Sequence, residues 1–243
     1  MKKFIVLFFI TLGFYSCSNS DENVAVTLKF TQNWNETTVT NQDFNAFKFT
    51  TKNGETVSIV RLRYLISNLS LQGEENYFLV DVGENSGNLI TISDIAPGIY
   101  NLNFRFGFSD LDNQDGIYQD LNSVNFGVPG MLGGGYHYMQ FDGKYKDTNN
   151  QDANFNYHAI RAVDRSNPNN LVFEDTSFLV NLGTVEIKNN TTIEIKMNIA
   201  EWFKNPNTWN LNQLNTVLMP NFDAQKLISA NGKTVFSLGT INQ

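Results

Sequence analysis

The 243-residue chain is poor in cysteine, histidine and net positive charge, and each shortage excludes a class of protein. Its one cysteine, Cys17, has no second cysteine with which to form a disulfide, so a folded domain must be stabilised by its core. The 17 Lys and Arg are outnumbered by 24 Asp and Glu, for a formal net charge of −7. This balance argues against nucleic acid as a partner and against a basic membrane-binding face.

Catalytic signatures are also missing. Neither histidine lies in a zinc-protease helix motif, and the chain has no Gly-x-Ser-x-Gly elbow and no phosphate-binding glycine loop. The glycines of 133–135 are not followed by the lysine and helix pattern of such a loop, so they predict a tight turn into the strand at Tyr136. We therefore expect a protein that is not an enzyme.

The N-terminus has the organisation of an export signal. Lys2 and Lys3 precede an apolar run, Phe4 to Phe14, that is too short to span a bilayer. Ser16 stands directly before Cys17, which resembles a bacterial lipobox and implies that Cys17 becomes a lipidated N-terminus. An ordinary signal peptide with an incidental cysteine is the alternative.

This organisation predicts three segments and a location. They are a lipoprotein signal peptide over 1–16, a lipidated polar tether over 17–23 and one domain over 24–243. The lipid anchor would make the membrane a partner and place the protein at the outer membrane, facing the periplasm or the cell surface.

Strand patterns dominate after residue 24. Tyr100, Leu102, Phe104 and Phe106 alternate strictly with polar residues, and 20 Phe with 9 Tyr supply the side chains of a β core. An Asp-, Asn- and Gly-rich stretch over 109–134 interrupts the strands and predicts a long loop. The fold class we predict is all-β: a single antiparallel β-sandwich-like domain with that long loop and a short helical C-terminal tail.

Four segments occur in an order that is typical of one known family: "YLISNLSL" (64–71), "IAPGIYNLNFRFGFSD" (95–110), "GYHYMQFDG" (135–143) and "FNYH" (155–158). They resemble the MbnP-like family, which comprises extracytoplasmic copper-binding proteins related to the methanobactin-associated periplasmic protein. The resemblance implies a copper cofactor, a role in copper storage, delivery or acquisition, and a copper-handling protein as partner. The histidine of "FNYH" corresponds to the more recurrent histidine of the family.

The chain departs from the family pattern just before the first histidine. Met131 and the pair Gly135-Tyr136 match, but Leu132 and 133–134 replace an aromatic residue and a tryptophan. In some relatives an oxidised tryptophan is a copper ligand, whereas the tryptophans here are Trp34, Trp202 and Trp209, none of them near the motif. A tryptophan-derived ligand is therefore not expected.

Soft ligands for Cu(I) are available around the two histidines. On a regular strand His137 and Met139 share a face, and His158 could meet them across a hairpin. Met131, on the loop, is a further candidate ligand. The register stays open: a turn centred on Asn150 separates the histidines by five residues, or ~16 Å, whereas a shifted turn or a bulge brings them together.

Two readings compete with copper. Histidines flanked by tyrosines in strands are often hydrogen-bonded core residues, and the chain would then be a metal-free surface module that recognises a glycan or a partner protein. Asp110, Asp112 and Asp115 offer hard oxygens for calcium, although their spacing is not that of an EF-hand and a solvated turn is the favoured interpretation.

Overall fold

The computed structural model describes residues 22–71, 73, 76–167 and 169–243. Among these, the strands are β1 (Val24–Trp34), β2 (Thr37–Val39), β3 (Phe49–Thr50), β4 (Thr56–Ser67), β5 (Tyr77–Asp81), β6 (Leu89–Ile95), β7 (Gly98–Phe106), β8 (Met139–Lys146), β9 (Asp152–Ala159), β10 (Ala162–Asp164), β11 (Val172–Glu174), β12 (Phe178–Ile187), β13 (Thr191–Asn198) and β14 (Phe236–Asn242). The α-helices are α1 (Gln119–Ser123) and α2 (Phe222–Gly232), and short 3-10 helices span Asn41–Asp43, Gly130–Leu132 and Ile199–Phe203.

The strands form two large sheets and a two-stranded ribbon. The first sheet has the order β14-β13-β1-β2, with β6 also paired to β1. The second has the order β12-β7-β4-β8-β9, with β3 and β5 also paired to β4. β1 and β13 pair in parallel, and the other strand pairs of the described residues are antiparallel. β10 and β11 form the ribbon.

The two large sheets enclose one core. Alternate side chains point inward, so that Phe30 of β1 meets Phe104 of β7 edge-on with ring centroids 6.0 Å apart. Gln32 of β1 donates a hydrogen bond of 3.0 Å to the hydroxyl of Tyr64 of β4, so a buried polar pair also bridges the sheets. The predicted all-β, sandwich-like fold is confirmed.

The C-terminal segment is helical only in part. The helix predicted there is α2, and the side chain of Asn221 caps it by accepting a hydrogen bond of 3.0 Å from the Ala224 amide. The helix is followed by β14, which pairs with β13 and packs Phe236 against the core. The predicted short helix is therefore present, and the last residues add an edge strand to the first sheet.

A second, smaller core lies under the long loop 109–134. Its buried members are Leu65, Phe108, Leu121, Phe126 and Tyr136. The loop contains α1 and the 3-10 helix Gly130–Leu132, and its apolar side chains fix it onto the second sheet beside β4 and β8. This attachment brings the backbone at Phe126 to the start of β8.

The predicted signal peptide, the lipidation site Cys17 and 17–21 of the predicted tether lie outside the described residues. No helix in the described part of the chain combines the length and the apolar character needed to cross a membrane.

Candidate functional site

His137 is positioned by a tight turn rather than by a regular strand. Gly133, Gly134 and Gly135 all have positive φ, at 115°, 65° and 76°, which L side chains rarely adopt. A Cβ on Gly135 would lie 2.6 Å from the side-chain oxygen of Asn113, which accepts a hydrogen bond of 2.7 Å from the Tyr136 amide. The predicted role of these glycines in turning the chain into Tyr136 is confirmed.

The backbone of His137 pairs with the loop and not with β9. Its amide donates a hydrogen bond of 3.0 Å to the carbonyl of Phe126, while the next residue, Tyr138, donates to the Ala159 carbonyl at 2.8 Å. Regular strand geometry begins only at Met139. Strand alternation therefore does not extend back to His137, and this break determines where its ring points.

His158 lies on β9, directly opposite Gln140 of β8, and Asn156 lies opposite Asp142. Opposite residues of an antiparallel pair share a face, so these four polar side chains are on one face of the hairpin. The intervening residues of the two strands are on the other face, in the main core: Met139, Phe141, Tyr157 and Ala159.

The two histidine rings are in contact. Their centroids are 5.2 Å apart with an interplanar angle of 83°, and His137 and His158 are only 4% and 8% exposed. The register that pairs Gln140 with His158 would leave His137 beyond the end of the ladder. The bend at Tyr138 instead folds the ring of His137 back over Gln140, so a local irregularity joins the pair.

The hydrogen bonds of His137 assign its proton. Its Nδ1 is 2.9 Å from the Phe126 carbonyl oxygen and 3.3 Å from Gln140 Nε2. A carbonyl can only accept, so Nδ1 carries the hydrogen and donates to Phe126. The contact with the Gln140 amide nitrogen, itself a donor to the Asn125 carbonyl at 3.2 Å, is then not a hydrogen bond. Nε2 of neutral His137 is left with a lone pair.

The hydrogen bonds of His158 assign the opposite tautomer. Its Nε2 is 2.7 Å from Oδ1 of Asp142. Burial disfavours the ionised form of Asp142, but hydrogen bonds from His158 and Asn156 and the charge of Arg61 outweigh it and hold the pKa of that carboxyl well below its usual value. An ionised carboxylate only accepts, so Nε2 of His158 donates and Nδ1 is left with a lone pair.

Both lone pairs are buried and lack a protein partner. Nε2 of His137 and Nδ1 of His158 are inaccessible to solvent and form no hydrogen bond with any described residue. Unpaired buried polar atoms are uncommon and costly, and their usual explanation is a bound water or ion or a functional role. The two atoms belong to rings that are in contact, so the space between these rings is the candidate site.

Electrostatics keep His137 neutral. Burial is the main cause, followed by the positive charges of His158 when it is protonated, of Arg63 and of Arg61, and together they lower the pKa of His137 to about 3. A neutral imidazole is the form that coordinates metals. The site therefore presents at least one imidazole whose lone pair is not lost to protonation over the physiological pH range.

Several residues that build the site were not singled out from the sequence. They are Asp142, Gln140, Arg61, Arg63 and the loop residue Phe126, which holds His137 through its carbonyl. Strand alternation does predict that Asp142 lies on the same face of β8 as Gln140. Only the strand register shows that His158 lies on this face too. The Phe126 carbonyl orients the ring of His137. Asn156 itself donates to Asp142.

The structure does not bring the two methionines to the histidines. Met139 is fully buried in the main core, on the opposite face of β8, so the expected shared face with His137 is wrong: the chain bends between the two residues. Met131, in the 3-10 helix Gly130–Leu132, is 83% exposed, whereas both histidines are buried.

The three aspartates proposed for calcium do not converge. Asp110 pairs with Arg161 at 3.6 Å, and Asp112 accepts a hydrogen bond of 2.6 Å from Ser109 within its own turn. The side chain of Asp115 lies against Gly134. Within 22–71, 73, 76–167 and 169–243 no group of three or more His, Cys, Asp or Glu could hold a metal ion, so the three aspartates are not brought together as a set of ligands.

Comparison with known proteins identifies the family. A solved structure to which the chain is similar is MbnP from Methylosinus trichosporium, with a TM-score of 0.47 and 9% identity, covering 77% of this chain and 80% of that one. No curated protein matches the chain. The family model described as MbnP matches residues 23–220, most of the chain. The chain therefore belongs to the MbnP family.

Proposed function

We propose that this protein binds copper, as Cu(I), between His137 and His158, and serves in copper storage, delivery or acquisition rather than in catalysis. One observation carries the proposal: two touching, buried imidazoles each leave one nitrogen lone pair without a partner. Imidazole nitrogen is a suitable copper ligand. Membership of the MbnP family supports the same metal.

The composition of the site favours Cu(I) over metals that need more ligands. The carboxylate of Asp142 is already engaged by His158, Asn156 and Arg61, which leaves two neutral nitrogens as donors. Structural zinc usually takes four protein ligands, and catalytic zinc takes three with a water. Cu(I) is a closed-shell ion that accepts low coordination numbers, so two imidazoles can hold it.

The surroundings of each ring suit a metal ligand. Metal-binding histidines usually donate their other N–H to a carboxylate or a backbone carbonyl, which orients the ring and raises its basicity. His158 donates to Asp142, and His137 donates to the Phe126 carbonyl. The remaining nitrogen of each ring therefore has a lone pair available for a metal.

A water molecule is the competing occupant. One water can donate to both free nitrogens and would satisfy them without any metal. Cu(I) affinity distinguishes the two, measured anaerobically by competition with a chromophoric chelator on protein purified without chelators. We expect one Cu(I) per chain for the wild type and none for the His137→Ala/His158→Ala double variant.

The control for this experiment is Gln32→Leu. It removes another buried hydrogen-bonding side chain, on β1, without touching the histidines, so its Cu(I) affinity should equal that of the wild type. Equal copper affinity in the wild type and the double-histidine variant would overturn the proposal.

The proposed location is the outer membrane, through a lipid at Cys17, with a copper-handling protein as partner. The support is the signal-like segment that ends at Cys17. Labelling of growing cells with a fatty-acid analogue should mark the wild type and not Cys17→Ser. Equal labelling of the two proteins would show that Cys17 is not the anchor.

A second candidate function is recognition of a glycan by the long loop. A cavity of about 310 Å³ lies between the loop and the second sheet, and Tyr77, Phe108 and Tyr118 line it together with Asn, Asp and Gln side chains. Aromatic faces with amide groups are suited to sugar rings. Saturation-transfer NMR with a saccharide panel tests this, and a signal that survives Tyr77→Ala would argue against the cavity as the site.

A further inference from the structure

Arg63 places a buried positive charge next to the histidine pair. It lies on β4, directly opposite Gln140 of β8, and is only 9% exposed. Its Nε donates to Oε1 of Gln140 at 2.6 Å, and a terminal nitrogen donates to the Val124 carbonyl at 2.9 Å. The guanidinium carbon lies 5.5 Å from the centroid of the Phe126 ring.

Two of the three groups that contact Arg63, Gln140 and the Phe126 ring, also contact His137. The amide nitrogen of Gln140 is 3.3 Å from His137 Nδ1, and the Phe126 ring centroid is 5.7 Å from that of His137. Only one layer of side chains therefore separates the guanidinium from the imidazole.

The charge of Arg63 is poorly neutralised. Arg61 and Asp142 pair with each other and contribute no net charge, whereas no carboxylate among the described residues lies within 4 Å of Arg63. Its hydrogen-bond acceptors are a neutral amide and a neutral carbonyl. Asp81, opposite Arg63 on β5, attracts it from the far side and offsets part of the charge. An arginine also stays protonated at any pH compatible with folding.

We propose that Arg63 makes the histidine site selective for monovalent over divalent metal ions. This inference rests on the proposed function, since it concerns the same site. The repulsion between Arg63 and a bound ion scales with the charge of the ion, so a divalent ion is penalised twice as much as a monovalent one. The carboxylate of Asp142 is paired with Arg61, so the imidazole ligands bring no net negative charge to the site, and burial limits screening by solvent and salt.

The test compares Cu(I) and Zn(II) in three proteins: the wild type, Arg63→Met and Arg63→Lys. Each dissociation constant is measured by chelator competition, and the ratio of the Zn(II) to the Cu(I) constant is compared between proteins, which cancels the intrinsic preferences of the two metals. We expect Arg63→Met to lower this ratio by about tenfold or more, because one unit of repulsion is removed. Arg63→Lys keeps the charge and should stay within about threefold of the wild type.

The outcomes separate this inference from the proposed function. If the wild type binds neither metal, the proposed function fails. If it binds copper and the ratio is the same in Arg63→Met, only the role of Arg63 fails. A ratio that shifts equally in the Met and Lys variants would also overturn it, because packing and not charge would then be responsible.

A second variant keeps the proposal testable should Arg63→Met not fold. The side chain of Arg61 is 44% exposed, and Arg61→Gln removes one positive charge from the same site with less disturbance of the core. We expect a shift of the ratio in the same direction but smaller, since the exposed charge is screened. An unchanged ratio would contradict the proposal.

Discussion

The two faces of the β8–β9 hairpin are both buried but are stabilised by different forces. One face presents Met139, Phe141, Tyr157 and Ala159 to the main core, where aromatic rings meet at centroid distances such as 5.2 Å between Phe141 and Phe155. The other presents Gln140, Asp142, Asn156 and His158, which form hydrogen bonds and an ion pair under the long loop.

This difference between the two faces indicates which of them contains the functional site. On the apolar face, stability grows with the area buried, and the buried hydroxyl of Tyr157 is satisfied by donating a hydrogen bond of 2.8 Å to the Trp202 carbonyl. On the polar face, each buried donor or acceptor needs one, so an unpaired atom is informative. The two free nitrogens of His137 and His158 are such atoms, and they stand beside a network that is otherwise closely paired.

The largest expected effect comes from breaking the apolar face. Phe141 is fully buried, and Phe141→Ala should lower the free energy of unfolding by about 3–5 kcal/mol through lost burial and the cavity left behind. Urea denaturation measures this, with exposed Lys144→Ala on the same strand as the control, expected within ~0.5 kcal/mol of the wild type. Equal losses in the two variants would contradict the assignment of the faces.

The contribution of the polar face to the free energy of unfolding should depend on pH. His137 has its pKa lowered to about 3 in the fold, mainly by burial, against 6.5 for a free histidine. The unfolded chain therefore binds a proton below pH 6.5 that the folded chain does not, and stability should fall by about 1.4 kcal/mol per pH unit as the pH drops from that value towards 3.

Urea denaturation of metal-free protein at pH 7.5 and pH 5 measures this slope. His137→Gln should lose less stability than the wild type between the two conditions, by roughly 2 kcal/mol. Phe141→Ala is the control, since it should keep the pH dependence of the wild type. A wild-type pH dependence in His137→Gln would show that His137 is not buried in its neutral form.

Asp142 should affect metal binding more than stability. Asp142→Asn removes the charge that requires His158 to donate from Nε2, and loss of such an orienting group typically weakens metal affinity by about 10–100-fold. The ¹⁵N chemical shifts of His158 should also show a mixture of tautomers. Asp152→Asn is the matched control, because it breaks the exposed pair with Lys146 at the far end of the hairpin and should change neither quantity. Unchanged shifts and affinity in Asp142→Asn would rule out the orienting role.

The smallest effect is expected at Met139. Met139→Leu preserves the volume in the core and should cost less than about 1.5 kcal/mol of unfolding free energy. Its Cu(I) affinity should equal that of the wild type, because the side chain is on the face away from the histidines. A tenfold loss of affinity would instead make Met139 a ligand and require the hairpin to rearrange on metal binding.

Local sequence patterns predicted the structure correctly where the backbone is regular. Alternation over Tyr100 to Phe106 correctly predicted a strand, and the glycines of 133–135 correctly predicted a tight turn. The same alternation failed at His137, since the rule of two residues per face holds only while both residues belong to one strand. His137 was placed on the face of Met139 for that reason, and Asp142 was not connected to His158.

The sequence alone determined that this is an all-β domain with an aromatic core and that it belongs with the MbnP proteins. It also made the two histidines the candidate metal ligands. The fold class and the candidate residues follow from residue type and periodicity, which act over a few positions, whereas the family follows from the resemblance of whole segments. Only the tertiary structure decided that the rings of His137 and His158 touch, which nitrogen of each is free, and that Arg63 lies beside them. Each depends on how β4, β8, β9 and the loop at Phe126 come together, and contacts between such distant segments are set by strand register and loop docking.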